Sequence, residues 1–135
     1  MDLEALKKQL VKHEGFELMP YPCTKKKMTI GVGRNLDDCG ISEDEMNLML
    51  KNDIEKVIKD LVGLFDDWYH YSVNRQNALA DMRFQMGADG FRSFKKMIDA
   101  VRLGKWGVAA AEAFDSQWRT QTPERAKTII KMLRG

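Results

Sequence analysis

Three early residues carry side chains suited to moving a proton or attacking a carbon: Glu14, Cys23 and Thr29. Cys23 stands nine positions after Glu14, and Thr29 six after Cys23. Glu14 continues the helical stripe of Leu3, Leu6 and Leu10, and Gly15 after it suits a helix end. A carboxyl at the end of an apolar face is expected to be buried. Burial disfavours the ionised form, and a carboxyl that stays protonated near neutral pH is what a general acid requires. The residues after Glu14 are rich in turn formers, with Gly15, Pro20 and Pro22. They lead to a strand-like run, Thr29-Ile30-Gly31-Val32-Gly33, whose glycines allow close backbone approach.

The elements that must position these groups follow from periodicity and capping. A first helix is expected from Asp2 to His13, with Asp2 as its cap. The prolines keep any strand between Phe16 and Tyr21 short. Lys25-Lys26-Lys27 reads as a hairpin tip, Met28 to Val32 as a strand, and Asp37-Asp38-Cys39-Gly40 as a turn, which together predict a small antiparallel sheet. Ser42 with Glu45 makes a capping box. Behind it Met46, Met49, Leu50, Ile54, Val57, Ile58, Leu61 and Phe65 recur at threes and fours, predicting a long helix with that face inward. A helix is expected from Ser72 to Met86 with Ala78, Leu79, Met82 and Met86 inward, interrupted at Gly87 and Gly90. Ser93 is expected to cap a helix reaching Leu103 and ended by Gly104. Trp106 to Phe114 reads as helix. Thr122-Pro123-Glu124 opens a last helix with Thr122 as cap and Ala126, Ile129, Ile130 and Leu133 inward. Trp118 is expected in the core, and Trp68, Tyr69 and Tyr71 as a packing cluster. The class is α+β, a small sheet lobe early and a helical lobe after it.

The totals bound the function. The chain has 135 residues, 44% hydrophobic and 31% charged, enough for a core without crosslinks. A formal charge of +2, with Lys and Arg interleaved among acids, argues against a nucleic-acid partner. Two cysteines without CxxC spacing are no disulfide scaffold, so reduced thiols are expected. The opening MDLEALKKQL has no long apolar stretch, so no signal peptide is expected, and no run is apolar enough for a membrane span or stable membrane anchoring. Synthesis into the cytoplasm is the expectation. His13 and His70 have no ligand-like partners, so neither a metal nor another cofactor is expected.

The spacing of Glu14, Cys23 and Thr29 resembles the Glu–(Asp or Cys)–Thr catalytic spacing of the phage-type lysozymes. His13-Glu14-Gly15 resembles their glutamate-glycine signature, Tyr21 stands before the second catalytic position as it does in that family, and Thr29 to Gly33 is similar to their TIGxG strand. Phe84-Gln85-Met86-Gly87 and the run Trp118 to Lys127, with its QTPxRAK pattern, resemble the helical lobe of the T-even phage enzymes. The likeness extends over nearly the whole chain and is densest at 12–36, 78–94 and 114–134. Cys23 departs from the T-even aspartate, which the wider family permits.

The resemblance implies a single lysozyme catalytic domain over residues 1–135. It has a sheet lobe at about 14–41 and a helical lobe at about 42–135 joined by the first helix, with the active-site cleft between. It implies an endolysin that hydrolyses the β-1,4 bond between N-acetylmuramic acid and N-acetylglucosamine of bacterial peptidoglycan. Glu14 would be the general acid, Cys23 the base or nucleophile, and Thr29 the group that holds a water. Free cysteine has a pKa of about 8.5, and the Lys25-Lys26-Lys27 cluster is expected to lower it if close. Arg125 would pair with or orient Glu14. Tyr21, Leu36, Gln85 and Phe94 would bind substrate along the groove. A monomer is expected, dependent for release on a separate pore-forming protein. Two other readings stand beside this one: a lytic transglycosylase, for which Cys23 and Thr29 would be dispensable, and a peptidoglycan-binding protein without hydrolysis.

Overall fold

The computed structural model describes residues 1–135, which cluster into two compact units, 1–48 and 49–135. The first begins with α1, Leu3–Glu14. Asp2 caps it by accepting the Ala5 N–H at 3.0 Å, and the Gly15 N–H closes it on the Val11 carbonyl at 2.8 Å. A three-stranded antiparallel sheet follows in the order β1, β2, β3, made of Glu17–Pro22, Met28–Gly31 and Arg34–Asn35. β1 carries a bulge between Glu17 and Tyr21, beyond which Tyr21 lies opposite Thr29 and Pro22 opposite Met28. β2 pairs onward, Thr29 with Asn35 and Ile30 with Arg34. The expected hairpin tip is present. The Cys23 N–H bonds to the Lys27 carbonyl at 2.9 Å, the Lys26 N–H bonds back to the Cys23 carbonyl at 2.8 Å, and Lys26 takes a φ of 61°.

Residues 37–40, expected as a turn, instead lie on and just after one helical turn, α2 (Leu36–Cys39). Asn35 caps it through its side chain, and Gly40 returns its N–H to Leu36. An Asn cap followed by two acids near the helix N-terminus stabilises even one turn. The capping box is realised: the Glu45 N–H donates to Ser42 Oγ at 3.1 Å, and the Ser42 N–H to Glu45 Oε1 at 2.9 Å. The same carboxylate receives Arg34 Nη1 and Nη2, each at 2.9 Å, while Nη1 also reaches the Gly40 carbonyl at 3.1 Å. These bonds hold the Glu45 carboxyl far below the usual range, at about 2.

The helix that starts there, α3, runs Glu43–Leu64. Its inward face is shorter than the periodicity predicts. Val57, Leu61 and the following Phe65 are buried, whereas Met46, Met49, Leu50, Ile54 and Ile58 remain exposed. Periodicity marks a face that can be buried; whether it is depends on what lies against it. In the second unit a short 3-10 turn, Trp68–His70, leads to α4, Val73–Arg92. Gly87, with φ 76° and ψ 172°, interrupts the helical path inside α4 as expected, and a second helical stretch continues beyond it to Arg92. Then come α5 (Lys95–Arg102), α6 (Trp106–Phe114), α7 (Gln117–Gln121) and α8 (Pro123–Arg134). Two caps differ from expectation. Ser93 closes α4, donating to Gly90, and does not cap α5; Thr122 holds the N-cap position of α8 with Pro123 first in the helix, as expected, but its Oγ1 donates to the Trp118 carbonyl and not to an α8 N–H. In both, a hydroxyl just after one helix finds a carbonyl of that helix before an N–H of the next.

The core gathers Leu61, Phe65, Leu79, Met82, Phe91, Met97, Val101 and the predicted α8 face, Ala126, Ile129, Ile130 and Leu133. Trp118 and Trp68 are buried in it as expected, Tyr71 meets Phe65 and Trp106 edge-on, and Tyr69 alone of that cluster is exposed.

Candidate active site

In the first unit α1 delivers Glu14, the end of β1 delivers Cys23, and the central strand delivers Thr29. The Glu14 carboxylate is seated on the β2–β3 turn. A Cβ built on Gly33 would stand 3.3 Å from Glu14 Oε2, and Gly33 has a φ of 68°. The positive φ favours glycine there, and an added side chain would press on the end of the Glu14 carboxylate, which would have to give by a few tenths of an ångström. The close approach read from the glycines of Thr29–Gly33 is therefore real, and what approaches is Glu14. Glu14 itself is exposed, not buried as its place on the helical stripe predicts. The cause lies in the helix: α1 buries none of its residues.

Cys23 is half-buried and in the free thiol form. Its pKa lies below that of an ordinary cysteine. The largest cause is the Lys27 backbone N–H, then the Lys25 N–H, with the Thr29 hydroxyl adding to them against the opposing effect of burial. The lysine run does favour the thiolate, but through its peptide groups, not its ammonium charges. Thr29 is the sole buried polar residue, 4% exposed. Its hydroxyl donates to the Lys27 carbonyl at 2.9 Å. With one proton and two lone pairs, it can accept from the neutral thiol or a water, and can swing its proton to the thiolate. Tyr21, half-buried, faces Thr29 across the strands, and Leu36, half-buried, opens α2.

The other expected residues belong to the second unit. Gln85 and Phe94 are brought together there at Trp118: Trp118 Nε1 donates to Gln85 Oε1 at 3.0 Å, and its ring meets Phe94 edge-on, centroids 6.4 Å apart. They line an open hollow of about 740 Å³, whose polar wall includes Glu112, Ser116, Gln117 and Gln121. Trp118 reads in the sequence as core alone, yet it also fixes which way the Gln85 amide points. Arg125 is expected beside Glu14; the partner the structure gives it is Asp81, bonded through Nε and Nη2 at 2.7 Å each. Asp81 precedes the inward-facing Met82, and nothing in its spacing marks it as an arginine partner.

This geometry meets an independent finding. Residues 11–132 match the family described as phage lysozyme. The chain belongs to the phage lysozyme family. It is thus a glycoside hydrolase of the lysozyme and endolysin kind, with the α+β fold expected of one. Among similar proteins is a probable T4-type lysozyme of Dictyostelium discoideum, 30% identical over 159 aligned positions that cover 96% of this chain and 94% of that one. The pre-baseplate central spike protein of enterobacteria phage T4 is 28% identical over 113 positions, 80% of this chain but 20% of its own length. A peptidoglycan hydrolase of Pseudomonas phage phiKMV is 38% identical over 55 positions, 41% of this chain and 6% of its own. No helix of this lysozyme is long and apolar enough to cross a membrane.

Proposed function

We propose that this lysozyme acts on bacterial peptidoglycan, hydrolysing the β-1,4 bond between N-acetylmuramic acid and N-acetylglucosamine, with residues 1–135 as one catalytic domain. The observation that carries the reading is the pairing, within one small unit, of a carboxyl seated on a glycine backbone and a thiol whose ionised form is favoured. The likeness to a phage peptidoglycan hydrolase supports the substrate class.

In this mechanism Glu14 gives its proton to the glycosidic oxygen as the bond to the anomeric carbon breaks. The Cys23 thiolate takes a proton from a water held through Thr29, and the water oxygen bonds to the anomeric carbon. The Glu14 carboxylate and Cys23 thiol then exchange protons with solvent, restoring the starting state. Amide and peptide groups near sulfur supply fixed dipoles that need no rearrangement during the step. Tyr21 and Leu36 contact the sugar chain from the sheet unit. In the helical unit Trp118 pre-orients the Gln85 amide beside Phe94, an amide and a ring suited to sugar hydroxyls and N-acetyl methyls.

A turbidity assay on permeabilised Gram-negative cells tests this. Glu14→Gln is expected to lose about 10²–10⁴-fold in rate. Cys23→Ala should lose most of its lysis, and Cys23→Asp should keep part of it. Full lysis by Glu14→Gln would refute the acid assignment. Anhydro-muramyl ends in place of reducing ends would convert the enzyme to a transglycosylase. Passage to the wall through a separate pore-forming protein belongs to the same proposal, and expression in cells with and without such a protein checks it.

A further inference from the structure

The ladder between β2 and β3 stops early. β3 is two residues long, Thr29 pairs with Asn35, and the chain then turns into α2. Met28 is thus left without a β3 partner, and Asp37 Oδ2 takes its N–H at 2.8 Å. The next residue of α2 repeats the gesture: Asp38 Oδ1 lies 3.2 Å from Lys27 Nζ. Asn35 fixes Asp38 in turn, accepting its N–H at 3.1 Å and donating to its carboxylate at 2.9 Å. Two consecutive acids therefore hold two consecutive residues of the turn. The carbonyl of that same Lys27–Met28 peptide accepts both the Cys23 N–H and the Thr29 hydroxyl, each at 2.9 Å, and the N–H groups of Lys27 and Lys25 in the turn favour the thiolate.

We propose that Asp37, supported by Asp38, is a positioning residue for Cys23: it clamps the Lys27–Met28 peptide, whose carbonyl holds both the Cys23 N–H and the Thr29 hydroxyl, and so keeps the turn folded around the sulfur. Its bearing on catalysis rests on the reading of Cys23 as the reacting thiol; the clamp is a statement about thiol chemistry alone. The charged and titratable groups on the turn and the elements beside it are Lys25, Lys26 and Lys27 of the turn, Tyr21 of β1, and Asp37, Asp38 and Cys39 of α2. Acting through space, the two carboxylates would oppose a thiolate. Acting through the clamp, they favour it. The sign of the change on removing Asp37 therefore separates the two.

The experiment follows iodoacetamide alkylation of Cys23 across pH in the full chain, with Cys39→Ser leaving one thiol. Tryptophan fluorescence and circular dichroism report that the chain is folded. Asp37→Ala should move the alkylation midpoint upward and slow the reaction at neutral pH severalfold. Asp37→Asn, which keeps a carbonyl acceptor for the Met28 N–H, should move it part of the way. An unchanged or lowered midpoint in folded Asp37→Ala overturns the clamp. If Asp37→Ala does not fold, an unchanged or lowered midpoint in Asp37→Asn overturns it equally. Lysis retained by Cys23→Ala would instead remove the catalytic role of the thiol and leave the alkylation result standing.

Discussion

The two units of this lysozyme are held together by different physics. In residues 49–135 an apolar core runs from Val57 to Leu133, with rings, methionines and alanines interlocked. In residues 1–48 the one buried residue is Thr29, a polar one. Order there comes from a capped α1, a bulged sheet, the Asn35 and Asp37 side chains that finish the ladder, and the Arg34–Glu45 clasp. The proposed chemistry sits in the second kind of structure. Peptide groups and short side chains can be aimed at a sulfur or a carboxylate, whereas a close-packed apolar interior leaves little room to aim anything.

That contrast can be probed with built-in reporters, since Trp68, Trp106 and Trp118 all lie in the helical unit and both cysteines in the sheet unit. Phe91, fully buried, should give the largest stability effect: Phe91→Ala is expected to cost about 3–5 kcal/mol, read by urea unfolding followed through tryptophan. A loss below about 1 kcal/mol would mean the core tolerates a cavity better than its packing implies.

Gly33→Ala should break the site rather than the core. It forces a side chain into a left-handed backbone and against the Glu14 carboxylate, at a cost of about 1–3 kcal/mol. Lysis should fall while the tryptophan-monitored transition of the helical unit stays in place. Retention of full lysis would show that the contact between Gly33 and Glu14 does not matter to the reaction.

The pH dependence of lysis sharpens the same division. Because the Cys23 thiol is lowered by its neighbouring N–H groups, the rising limb of activity should lie below that of a free cysteine. In Cys23→Asp that limb should move far to the acid side, toward the usual aspartate value of about 3.9. An unmoved limb would assign it to a different group.

A smaller effect concerns the clasp. Glu45 is depressed in the folded chain from the usual 4.5 to about 2. Its contribution to stability is therefore complete above about 4.5 and is lost as pH falls through about 2. Amide protection at Glu45 and Met46 should decline over that window while tryptophan emission is unchanged, and Glu45→Gln should abolish the decline. Smallest of all, Leu18→Ser on the exposed face of β1 should change stability by no more than about 0.5 kcal/mol.

Much of this was legible in the residues, and where it was not the reason is physical. The capping box at Ser42, the hairpin tip at Lys25–Lys27 and the inward face of α8 are local or periodic signals, and each appears where expected. The exposure of Met46, Met49 and Ile54 was not legible, because amphipathic spacing records a capacity for burial and not its fulfilment. Ser93 does not cap α5, and Thr122 sits at the α8 cap without a side-chain cap bond, because a hydroxyl between two helices chooses its partner by geometry that no spacing encodes.

The sequence by itself determined the family, the α+β order of elements and the identity of three candidate reacting groups, since those depend on residue type, spacing and local propensity. Tertiary structure alone decided that Glu14 lies exposed on Gly33, that peptide N–H groups rather than lysine charges favour the Cys23 thiolate, and that Asp81 holds Arg125. Each of these is a matter of which way a dipole or charge points across a gap. Direction in space is fixed by the folded backbone and not by the order of residues along it.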